Sequence, residues 1–74
     1  MDINKTFNTT LDAVSRDGIE LSNKMESISK GNMSNEELVQ LQFQIGQYNA
    51  KLEMLSTITK SMTDMLKSLA QRAN

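Results

Sequence analysis

Glu36 and Glu37 are adjacent carboxylates, and paired acids are one arrangement that supports general acid and base catalysis. Their surroundings point to a simpler role. Ser34 stands three residues before Glu37, so the serine oxygen can accept from the Glu37 amide while the glutamate reaches back to the Ser34 amide. That is a capping box, and two acids also suit the positive pole of a helix. The chain has no His and no Cys, which removes the usual imidazole base, the thiolate nucleophile and the main nitrogen and sulfur ligands of zinc. Its serines have no activating partner at a recognisable spacing, and no Gly-rich phosphate loop or metal motif is present. The sequence therefore predicts no enzyme, no cofactor and no metal site. What remains is surface chemistry: Thr57, Lys60, Ser61, Asp64, Lys67, Ser68 and Gln71 recur at helical spacing and form a polar stripe.

The element that must carry that stripe runs from Met33 to the end of the chain. After the capping box, with Met33 and Leu38 placed as a hydrophobic staple, apolar residues recur at Leu38, Leu41, Ile45, Tyr48, Leu52, Leu55, Met62, Leu66, Leu69 and Ala73. The steps alternate three and four, with only Thr59 polar in the series, and such a seam needs a second helix against it. The window from Val39 to Ile45 also alternates apolar and polar, as a half-buried strand would. Gln is a good helix former and the heptad series continues well past this window, so the helix reading prevails.

The first part of the chain keeps the same period through Phe7, Leu11, Val14, Leu21, Met25 and Ile28, with Gly18 at the missing core position. This predicts a first helix over about residues 4–29, with a kink, fraying or a very close helix contact at Gly18. The Asn8-Thr9-Thr10 run weakens its opening turns. Lys30-Gly31-Asn32 separates the helices, and Gly31 suits the left-handed residue after a helix end. So short a connection makes the helices antiparallel neighbours. The predicted fold is all-α: one hairpin subunit spanning 1–74, with the turn over 30–34 and a longer second helix over about 35–72.

A chain of 74 residues allows one small domain, and with disulfides and zinc excluded the remaining aid to stability is oligomerisation. Net charge is −1, which argues against nucleic acid as the main partner. The halves differ, −3 over residues 1–37 and +2 over 38–74, so opposite ends of neighbouring copies attract weakly. The N-terminus lacks the apolar region of a cleavable signal peptide, and no stretch approaches the ~20 apolar residues of a membrane span.

Two mismatches point outward. The second helix, about 57 Å against about 39 Å for the first, is predicted to project by about a third of its length, carrying Met62, Met65, Leu66, Leu69 and Ala73 beyond any intrachain cover. Val39, Phe43, Ala50 and Met54 lie away from the seam, so this helix is apolar on two sides and one partner can cover only one. At about 25 cal/mol per Å², leaving these side chains wet forgoes several kcal/mol. The residues expected in an interface with other copies are Phe43, Tyr48, Met54, Leu55, Met62, Met65, Leu66 and Leu69. The grouped methionines suit irregular helix contacts, and Gly46 is open to two readings, a close approach between subunits or a tolerated surface glycine.

Leu41-Gln42-Phe43, then Gln47-Tyr48-Asn49, then Ser56, Lys60 and Asp64 together resemble the second half of a type III secretion needle protein, the enteropathogen branch above all. The resemblance spans roughly residues 34–70 and implies a homopolymeric filament enclosing a channel for unfolded effector proteins. It further implies a subunit exported without signal cleavage, held by chaperones before assembly, contacting base and tip proteins, and displayed as an extracellular needle at the bacterial surface with no direct membrane insertion. With the C-terminal helix facing the channel, Lys60, Asp64, Lys67 and Gln71 become the lumen lining. The turn Gly31-Asn32-Met33-Ser34 has no Pro and the chain has no Trp, both departures from common family features, so the related inner-rod subunit is the alternative. From other classes, a small helical adaptor that binds one partner protein also fits an unpaired apolar helix. A membrane-surface helix fits less well, because its basic polar face is weak here.

Overall fold

Asp2 starts the first helix. Its backbone is extended, and its Oδ1 accepts from the amides of Asn4 at 3.0 Å and Lys5 at 3.3 Å, satisfying two of the donors that a helix start leaves free. In the computed structural model, which describes residues 2–31 and 33–72, this helix (α1) spans Ile3–Ser29 and the second (α2) spans Asn35–Arg72. The cap places the start one residue ahead of the expected position and holds the Asn8-Thr9-Thr10 run in helix despite its low propensity. At the other end Lys30 donates its amide to the carbonyls of Glu26 and Ser27, and Gly31 donates to Ile28 at 2.9 Å. Gly31 has φ +73°, the left-handed conformation in which a side chain would be strained. Asn32, expected in the turn, and Ala73, expected at the end of the seam, lie outside the described residues.

The capping box forms at the start of α2. Glu37 donates its amide to Ser34 Oγ at 3.2 Å, and Glu37 Oε1 accepts from the Ser34 amide at 3.3 Å and hydroxyl at 3.0 Å. No strand occurs among the described residues, and the alternating window from Val39 to Ile45 lies wholly within α2.

The helices pack as a hairpin measuring 60 × 16 × 16 Å. Their contact is thin: Leu41, 3% exposed, and Val14, 7% exposed, are the buried apolar residues, joined by Thr10. Half-buried residues extend the line through Phe7, Leu21 and Ile28 on α1 and through Tyr48, Leu55, Ile58 and Met62 on α2. This line is rotated from the expected seam. Thr10, Lys24, Gln44, Lys51 and Ile58 take the more covered places, while their neighbours Leu11, Met25, Ile45, Leu52 and Thr59 turn outward.

Polar bonds explain the rotation. Lys51 donates to the Asp17 carboxylate and Lys24 to Gln44 Oε1, and both pairs belong to one antiparallel register. The first pair is about a third or more exposed on each side, so it fixes alignment more than it stabilises. Between the two pairs, α1 lacks a side chain at Gly18, and Tyr48 fills the space. A Cβ built there would lie 3.2 Å from the tyrosine oxygen. Of the outcomes the sequence allowed at Gly18, the close approach is the one observed, within an uninterrupted helix.

Length is distributed differently from the expectation too. Met62 is half-buried, whereas every residue of Thr63–Arg72 is exposed. The overhang is thus ten of the 38 residues of α2, about a quarter of the helix, and it begins after Met62.

The Gly18–Tyr48 contact makes a direct test. Ala in place of Gly favours a helix by about 1 kcal/mol, but here the new methyl meets the hydroxyl. Gly18→Ala should therefore stabilise the hairpin more in a Tyr48→Phe background than in the parent, read by thermal unfolding in a double-mutant cycle. Equal gains in both backgrounds would refute the steric account.

Candidate functional site

The hairpin has no fully buried side chain among its described residues, and its accessible surface is 5913 Å². A globular protein of this 8.3 kDa mass presents about 4,600 Å². The excess, about 1,300 Å², exceeds the ~800 Å² that one partner contributes to a standard protein interface. The functional surface has to be sought on the outside of the rod.

Three regions of that outside differ chemically. The first is the outer face of α2, where Phe43 is 69% exposed and Val39 and Met54 stand clear of α1. Val39, Phe43 and Gln47 line a shallow groove there. Gly46 faces open space, with nothing within 4 Å of a built Cβ. The second region is the overhang, where Met65, Leu66 and Leu69 are all exposed, Leu66 at 67%. Of the remaining residues expected at an interface, Tyr48, Leu55 and Met62 lie half-buried along the contact with α1.

The third region is the pair of flanks that α1 and α2 build together, which sequence periodicity had merged into one seam. One flank holds Asp17, Glu20, Lys24, Gln44, Gln47 and Lys51 around a small cleft, with the inter-helix polar bonds along it. The opposite flank runs Leu11, Ser15, Gly18, Ser22 and Met25 on α1, and Ile45, Asn49, Leu52, Ser56 and Thr59 on α2. No residue of that series is ionisable. Its signal in the sequence was the absence of charge at those steps, which hydrophobic periodicity alone does not register.

Lys60, Asp64, Lys67 and Gln71 are all exposed and share a face of α2 by their spacing of four, three and four. Among the described residues the ion pairs are Arg16–Asp12, Lys24–Glu20, Lys30–Glu26 and Lys51–Asp17, so the stripe's charges take part in none. Threonines near it behave differently. Thr57, Thr59 and Thr63 donate their hydroxyls to the carbonyls of Glu53, Leu55 and Thr59, one turn back.

The described residues contain no cluster of three or more His, Cys, Asp or Glu placed to hold a metal, and no described helix is long and apolar enough to cross a membrane. What the geometry offers is exposed apolar and polar surface. In comparison with known proteins, a family model described as "Type III secretion needle MxiH, YscF, SsaG, EprI, PscF, EscF" matches residues 2–72. Neither the curated proteins nor the solved structures give a match.

Proposed function

Because the chain belongs to the type III secretion needle family, we propose that it polymerises with itself into the hollow extracellular needle and so forms a conduit for unfolded effector proteins. The observation that carries this reading is the apolar surface that α2 leaves uncovered, on its outer face and along the overhang. Subunit packing would remove it from water, at about 25 cal/mol per Å² of apolar area. Phe43, Met54, Met65, Leu66 and Leu69 form the main interface in this reading. Tyr48, Leu55 and Met62 join it through the edges that α1 leaves open. Base and tip proteins are the partners at the two ends of the filament, and export chaperones hold the subunit before assembly.

The stripe Lys60, Asp64, Lys67 and Gln71 lines the channel. Its mixed charges and amides keep the wall hydrated, so an unfolded chain passing along it finds no apolar surface to adhere to. The family is structural and not a known enzyme class, in keeping with a chain whose role is a wall and not a reaction.

Assembly tests the reading. Concentrated protein should form long filaments by negative-stain microscopy, whereas an adaptor would stop at a dimer or a one-to-one complex. Removing the residues from Ala70 onward should abolish filaments while circular dichroism still reports a helical hairpin. Leu66→Asp should do the same, weakening each contact by several kcal/mol because it places an unpaired charge in a dry interface. Normal filaments from either variant would count against the overhang as an interface. For the channel, Lys60→Glu combined with Lys67→Glu should leave filaments intact and reduce secretion. Unchanged secretion through such filaments would remove these residues from the lining.

A further inference from the structure

Building on the assembly reading, we infer that the charge-free flank of one copy is the seat for the overhang of the next, in a head-to-tail contact. The flank presents Leu11, Met25, Ile45 and Leu52, each exposed although each belongs to an apolar heptad series. Between them stand only Ser, Asn, Thr and Gly18, so a helix can approach without desolvating an ion. The polar flank offers the reverse, since a helix laid there would have to strip water from Asp17, Glu20, Lys24 and Lys51.

The occupant is argued from the same chain. Thr63–Arg72 is a helical segment about 15 Å long in which every residue is exposed, Met65, Leu66 and Leu69 among them. Charge selects the orientation. The turn end carries Glu26, Glu36 and Glu37 against Lys30, whereas the far end carries Lys5, Lys60, Lys67 and Arg72 against Asp2 and Asp64. An overhang seated on the turn-proximal half of the flank, near Met25 and Ile45, brings the basic end beside the acidic one. Copies aligned side by side in register would place like ends together. Seat and occupant lie on different parts of the subunit, so each copy keeps a free seat or a free overhang, and a contact whose rotation closes no ring propagates.

The absence of cysteine makes the contact readable by cross-linking. Met25→Cys, Ile45→Cys, Leu69→Cys and Glu20→Cys variants would first be checked for parental helicity by circular dichroism. Filaments grown from mixtures of two single-cysteine variants and then oxidised should give a disulfide dimer for Leu69→Cys with Met25→Cys or Ile45→Cys, and only background for Leu69→Cys with Glu20→Cys. A chain carrying both Met25→Cys and Leu69→Cys should give an open ladder of multimers. Filaments that form but cross-link only through Glu20→Cys, or only as closed dimers, would overturn the seat and leave the assembly reading standing. Failure of the parent chain to form filaments at all would overturn both.

Discussion

Two rods touching along one line can hide only the strip of surface that faces inward. That limit governs this hairpin. Leu41 and Val14 are its buried apolar residues, a half-buried row from Phe7 to Met62 flanks them, and Val39, Phe43, Met54, Met65, Leu66 and Leu69 lie outside. Adding apolar residues to α2 does not deepen the core, because the core's width is set by helix geometry and not by composition. The surplus has to be covered by something beyond the chain. The proposed filament would meet that requirement with one kind of part, each copy covering another's surplus.

Within the line of contact, alignment and affinity are carried by different groups. The Asp17–Lys51 and Lys24–Gln44 bonds fix how far one helix slides along the other, and Tyr48 against Gly18 fixes how closely they approach. Half-exposed polar pairs contribute little stability. They still mark one register, because a slip by one turn separates Lys51 from Asp17 and Lys24 from Gln44, leaving Lys24 only its Glu20 pair within α1. Concentrating these bonds on one flank leaves the other free of charge. The same choice that aligns the subunit internally therefore polarises it sideways.

Most of the local structure was legible in the residues. Ser34 and Glu37 marked the start of α2, Gly31 marked the end of α1 through its left-handed backbone, and the three-four spacing separated helix from the strand-like alternation after Val39. The Asp2 cap was not read from the sequence, which placed the start of α1 at about residue 4. The rotation of the seam was not legible. Periodicity identifies which side of a helix is apolar, but positions 10 and 11, or 44 and 45, differ by only 100° around the axis. Which of them turns inward was decided by bonds between residues far apart in sequence. The overhang is a little shorter than helix lengths predict, since Met62, expected beyond the hairpin, is still half covered. The matched family added what no local rule supplies, that incomplete burial here belongs to a needle subunit.

Thr59 and Thr63 have already committed their hydroxyls to the carbonyls one turn below. By composition they read as solvated positions; in the folded helix they present a methyl and an occupied oxygen. Covering these two side chains strands no hydroxyl donor, so a neighbour settling on that face meets two small aliphatic bumps. Two positions that seem polar on paper are, in energetic terms, ready to lose their water.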